Sequence, residues 1–276
     1  MPYLQVEDLK IHFEIEGEGA PLIILHGMGN NSQSWKKQLK GLSEHYTVIA
    51  WDAPGYGKSS DPTAELKEFK QFADVLKGFI DNLQYESVTL LGHSMGSAIA
   101  LDFCYRFPDM VDALIISDAT RGAAALSKEV NEQKLKNRLT NIETLAPKEL
   151  AALRVPELLS PQPTPEVKKE AERIYSQIRP MGFRSVAYSL FHLNQMEILP
   201  LISVPTLVIC GELDKVTPVS ESQIFHDAIK NSTFVTIPLT GHLCYQEDPN
   251  QFNSIVLDFL TSLDKGKDQH CNALFD

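Results

Sequence analysis

The five residues Gly92-His93-Ser94-Met95-Gly96 stand between an apolar run, Ser87-Val88-Thr89-Leu90-Leu91, and a helix-like stretch from Ser97 to Phe107. A strand that passes into a helix through so short a segment must turn sharply. Glycines two residues to either side of Ser94 leave strand and helix room to approach each other. The serine then sits at the tip of the turn with its hydroxyl presented, the arrangement called a nucleophile elbow. This one feature commits the chain to a βα unit, and so to parallel strands whose carboxyl ends carry the chemistry.

The rest of the chain follows the same alternation. Leu22-Ile23-Ile24-Leu25, Val48-Ile49-Ala50-Trp51, Ala113-Leu114-Ile115-Ile116 and Leu207-Val208-Ile209-Cys210 are continuous apolar runs, as strands buried on both faces require. Leu9 to Glu16 instead alternates Ile11, Phe13 and Ile15 with His12, Glu14 and Glu16, the period-2 signature of a half-exposed strand, which suits a sheet edge. Thr233 to Ile237, stopped by Pro238, reads as the last strand. Helical patterns lie at residues 65–83, 95–107, 218–230 and 249–263. The pattern predicts an α/β fold, a mostly parallel sheet with helices on both faces.

One stretch breaks the alternation. Residues 121–200 carry no strand signal, only helical segments interrupted by Pro147, Pro156, Pro161, Pro163, Pro165 and Pro180. They are expected to form an inserted helical cap, with Pro161 to Pro165 as a stiff connector between two cap helices. Residues 1–120 and 201–263 then make the core. Residues 264–276, polar apart from Ala273-Leu274-Phe275, are expected to be a disordered or loosely packed tail. The last cap segment is rich in large apolar side chains. A cap over a cleft must line it with some of them, and Met181, Tyr188 and Phe191, together with Leu243, are the expected substrate contacts.

At 276 residues and 43% hydrophobic the chain can bury a large core. Its formal charge of -11 argues against nucleic acid or an anionic membrane as a partner, since both require clustered Lys and Arg. A small-molecule substrate fits. No charged-then-apolar signal segment opens the chain and no run of 18 apolar residues occurs, so a cytoplasmic monomer or homodimer is expected. Cys104, Cys210, Cys244 and Cys271 show no CxxC or Cys/His spacing, and His12, His45, His192, His226 and His270 are not paired with carboxylates at ligand spacing. Buried free thiols, no metal and no cofactor are predicted.

A serine hydroxyl is a poor nucleophile until a base stands within hydrogen-bond reach and a third group orients that base. His242, after Gly241 in the loop behind the last strand, projects at the same sheet edge as Ser94 and is the predicted base. Asp214, in Gly211-Glu212-Leu213-Asp214 after the penultimate strand, is the predicted acid. Asp118 and Asp52, each after a strand, are rivals for that role, with Glu212 a further candidate. Asp52 heads the tight loop Ala53-Pro54-Gly55-Tyr56-Gly57 and reads as a cap for its N–H groups. The tetrahedral oxygen needs two backbone donors. Met95 N–H, at the start of the helix, is one. Met28 N–H, in His26-Gly27-Met28-Gly29, is the other. His26 and His93 read as structural ties.

Taken together, His26-Gly27-Met28-Gly29 with Trp35, Asp52 to Ser59, the elbow, and Gly211 to Asp214 with Gly241-His242 resemble the α/β-hydrolase fold superfamily. The match is to its lid-bearing, cofactor-free serine hydrolases, which include esterases, enol-lactonases and ring-cleavage C–C hydrolases. The resemblance implies an eight-stranded sheet whose second strand is antiparallel, a cap between strands six and seven, and the triad Ser94, Asp214 and His242. It implies hydrolysis of an ester or enol-lactone of a small, largely apolar substrate through an acyl-enzyme. C–C hydrolysis and a slow-turnover ligand sensor are the alternatives. An aminopeptidase would need cap acids such as Glu157, Glu166 or Glu170 for a substrate amine, and Arg184 is a candidate carboxylate receptor.

Overall fold

The computed structural model describes the backbone of residues 2–272 and the side chains of residues 2–263. Eight strands form one sheet: β1 Tyr3–Val6, β2 Leu9–Glu16, β3 Ala20–Leu25, β4 Tyr46–Trp51, β5 Val88–His93, β6 Val111–Ser117, β7 Thr206–Gly211 and β8 Ser232–Ile237. Their order across the sheet is β1-β2-β4-β3-β5-β6-β7-β8. The pairs β1–β2 and β2–β4 are antiparallel, and all the others are parallel. Strands β3, β4, β5 and β7 are buried along nearly all of their length, as their unbroken apolar runs require.

Helices α1 Lys36–Leu42, α2 Phe69–Leu83 and α3 Met95–Arg106 connect β3, β4, β5 and β6 in turn, and α8 Val219–Ala228 links β7 to β8. The short α9 Cys244–Glu247 and the long α10 Pro249–Asn272 close the chain. Helix α2 begins later than the periodicity predicts, because Gln71 Oε1 accepts from the N–H groups of Lys67 and Glu68 and fixes the start in a capping box. Between β6 and β7 lie α4 Lys128–Thr144, α5 Pro147–Leu158, α6 Pro165–Tyr175 and α7 Pro180–His192. Pro156 rides inside α5 instead of interrupting it. Pro165 takes the first turn of α6, where its missing N–H costs nothing, behind a Thr164 cap.

Two sequence expectations change. Leu9–Glu16 is not the sheet edge: β2 pairs with β1 through Leu9–His12 and with β4 through Phe13–Glu16. The divided pairing breaks the alternation, so that His12 is fully buried against Asp52 while Ile15 is 41% exposed. Near the C-terminus, the helical backbone of α10 runs on through Asn272 where a loose tail was expected from Asp264; residues 273–276 of that tail lie outside the described residues. Cys104, Cys210 and Cys244 are free and buried; the Cys271 side chain is outside the described set. Among the described residues no helix is long and apolar enough to cross a membrane.

Candidate active site

Ser94 joins β5 to α3 with φ 52° and ψ -113°, a conformation a non-glycine residue adopts only when its surroundings enforce it, at a cost of about 1–3 kcal/mol. The enforcement is visible. Ser94 N–H donates to Ser117 O on β6 at 2.9 Å. A methyl group at Gly92 would overlap the Gly96 backbone, and one at Gly96 would overlap the Leu25 carbonyl. The glycines of the elbow are therefore steric necessities. Met95 begins α3, so its N–H has no carbonyl one turn back inside the helix; its side chain is fully buried. Met28 stands in the turn after β3 at the wall of a cavity of about 730 Å³.

Ser94, His93, His242 and Leu243 line that same cavity. His242 Nδ1 lies 2.8 Å from Asp214 Oδ2. With the proton on Nδ1 this bond leaves Nε2 as an acceptor. Asp214 Oδ1 accepts from Val216 N–H at 2.7 Å and Thr217 N–H at 3.1 Å, and Oδ2 lies 2.7 Å from the Thr217 hydroxyl. Burial disfavours the Asp214 carboxylate, yet the His242 ring and the Thr217 donors outweigh burial and hold its pKa well below the ordinary value. Burial likewise disfavours the His242 imidazolium, and the charge and hydrogen bond of Asp214 reverse this, so its pKa is raised.

The His242 loop is held by other bonds as well. His93 Nε2–H donates to His242 O at 2.7 Å, and its own pKa is pushed down to about 3 by burial and by the neighbouring His242 ring. Leu243 N–H donates to Leu158 O at the end of α5, and Glu247 accepts from Gly241 N–H at 2.8 Å. Behind the loop, Tyr245 stacks on Trp35 with ring centres 3.9 Å apart.

The rivals have other occupations. Asp118 is fully buried at the end of β6 and accepts from Gly211 N–H at 2.9 Å, the Ser117 hydroxyl at 2.6 Å and the Cys244 thiol at 3.1 Å. Burial and the charge of Asp214 lift its carboxyl to about 7. Glu212 Oε2 accepts from Leu239 N–H. Asp52 accepts from His12, Ser32 N–H and Lys58 N–H. His26 spans Gly27 O and Ala53 N–H, tying two loops.

The lining of the cavity departs from expectation. Leu243 is in it, but Met181, Tyr188 and Phe191 are not. Helix α7 turns Phe183 and Leu190, two helical turns apart, into the cavity, which sends residues two positions earlier to its far side. Met181 accordingly packs beside the Gly55 loop, and Tyr188 lies under Lys67 Nζ at 5.4 Å. Phe191 lines a separate shallow hollow with Leu135 and Leu139. Arg184 pairs with Glu65 at 2.8 Å, away from the cavity. Of the three cap acids only Glu157 reaches the wall, and it is bonded to Arg154. Sequence reasoning overlooked Thr217, whose position three residues after Asp214 was a usable signal. It also overlooked the polar residues that α4 contributes.

The sequence pattern of the family described as alpha/beta hydrolase fold matches residues 20–249. The chain belongs to the α/β-hydrolase family. This α/β-hydrolase is 27% identical over 258 residues to 3-oxoadipate enol-lactonase 2 of Acinetobacter baylyi, covering 92% of this chain and 94% of that one. It is 28% identical over 264 residues to 2-hydroxy-6-oxo-6-(2'-aminophenyl)hexa-2,4-dienoic acid hydrolase of Metapseudomonas resinovorans, covering 89% and 85%. Among solved structures, a thermophilic esterase from Thermogutta terrifontis superposes with a TM-score of 0.86 at 27% identity, over 92% and 94% of the two chains.

Proposed function

We propose that this α/β-hydrolase is a serine hydrolase that cleaves a carboxylic ester or enol-lactone through an acyl-enzyme. The observation that carries the reading is the 2.8 Å bond from His242 Nδ1 to Asp214 Oδ2, made by a ring that shares its cavity with the strained Ser94. Ser94 Oγ attacks the carbonyl carbon and its proton passes to His242 Nε2. Met28 and Met95 N–H groups receive the tetrahedral oxygen. The imidazolium then protonates the leaving oxygen, which in a lactone stays on the acyl chain. Water, deprotonated by His242, releases the acid and restores Ser94.

Asp214 stays ionised throughout, fixing the tautomer and balancing the imidazolium. Residues 121–200 act as the cap, roofing the site with an apolar side from α5 and α7 for the acyl body. The similarity to an enol-lactonase and to an esterase supports this class. The resemblance to the dienoic acid hydrolase favours C–C cleavage as the second reading. The test is a panel of p-nitrophenyl esters, lactones and ring-fission dienones, with mass detection of an acyl adduct on Ser94. Turnover of dienones without turnover of esters or lactones would select the second reading.

A further inference from the structure

The cavity that holds Ser94 has one wall unlike the others. Helix α4 lines it with Asn131, Lys134, Asn137, Arg138 and Asn141, positions three and four apart that share a helix face. Near them α5 supplies Arg154. Counting the loop residue Lys215, four cations stand in the lining against two acids, Glu157 and Glu221. Both acids are already engaged, Glu157 with Arg154 and Glu221 with Arg121 through bonds of 2.5 and 2.9 Å. Among the described residues no carboxylate pairs with Lys134 or Arg138 and no hydrogen bond engages either. Glu221 is the acid whose field reaches Lys134, and the Tyr175 phenol is the polar group that faces Arg138.

Arg138 is the informative member. Burial, and then the charge of Arg154, pull its guanidinium down to about 10. A partly desolvated guanidinium held beside other cations with no carboxylate of its own is costly, and the more pointed in a chain of net charge -11. An incoming carboxylate removes that cost through charge-assisted, bidentate hydrogen bonds.

We propose that the cavity selects an anionic ester or lactone, one carrying a second, non-reacting carboxylate that Arg138 holds with Lys134. The largely apolar substrate expected from sequence thereby gains a charged end, and the receptor is the α4 cluster in place of Arg184. Which bond is cut rests on the serine-hydrolase reading; the anion site does not.

The test separates the two. The Ser94→Ala protein is titrated calorimetrically with monomethyl glutarate and with dimethyl glutarate, and the wild type is assayed in parallel on p-nitrophenyl butyrate. The monoanion is expected to bind at least about tenfold more tightly, and added Arg138→Gln or Lys134→Gln to erase most of that preference, while Arg138→Lys retains part of it. Raising NaCl from about 50 to about 500 mM is expected to narrow the gap. Equal binding of the two esters overturns the proposal, and does so while leaving the hydrolase reading intact if the butyrate is cleaved. A preference for the monoanion that survives loss of both Arg138 and Lys134 also overturns it. Selective binding without any turnover upholds the anion site and refutes the hydrolase reading.

Discussion

His242 is held from several directions at once, and each hold does a separate job. Asp214 sets its tautomer, His93 fixes its backbone carbonyl, and Leu158 anchors the residue that follows. Ser94→Ala is expected to lower kcat by about 10⁴-fold or more with the circular dichroism spectrum unchanged, because the nucleophile alone is lost; near-wild-type turnover would refute its role. Asp214→Asn should cost about 10³–10⁴-fold in kcat, far more than Asp118→Asn, since it is Asp214 and not Asp118 that bonds the imidazole. The reverse order, read by steady-state kinetics, would move the acid to β6. His242 must be neutral to act as a base, so kcat/KM should fall as pH drops through its pKa. That pKa is raised by Asp214 over the opposing effect of burial, placing the acid limb above the ordinary imidazole value of about 6.5. Removing the Asp214 charge should move the limb to lower pH.

At the level of elements, sequence is most informative where packing leaves few options. The runs that became β3, β4, β5, β6 and β7 are buried on both faces, so apolarity alone marks them. The elbow is legible because steric demand fixes Gly92 and Gly96. By contrast β1 was missed: four residues on an edge, joined to β2 through a tight turn with Glu7 at φ 51°, bury too little to leave a pattern. The facing of α7 was also misjudged, since its apolar residues occupy more than one side and only the neighbours decide which side meets the cavity. Helix α4 offers no apolar stripe to mark a buried side, yet its Lys, Arg and Asn residues line part of the cavity. Where α6 meets the core, Gly29, at φ +82°, admits the Tyr175 ring so closely that a methyl group would overlap it. Gly29→Ala should therefore lower Tm by about 3–8 °C through overpacking and strain. It should also raise KM, because Tyr175 belongs to the cavity wall. An unchanged melting curve would mean that this contact carries no weight.

Across the whole molecule, stability should be graded. The amides of Leu22–Leu25 in β3, of β5, and of Ala113–Ser117 in β6, with buried side chains and partner strands on both sides, are expected to exchange hydrogen only on global unfolding. Helix α4 buries only Asn131 and Ile142 and should exchange through local opening at much lower free energy. Uniform protection across both, measured by native-state hydrogen exchange, would contradict this gradient. The excursion carrying α4 to α7 leaves from β6 and returns to β7, strands that pair side by side from Leu114 with Thr206 to Ser117 with Ile209. Its two ends are thus clamped a single strand spacing apart by the sheet itself. Such an insertion can be lengthened, shortened or exchanged without moving a strand, so the wall of the cavity is open to change through replacement of one contiguous segment, with Ser94, Asp214 and His242 left at the ends of the strands.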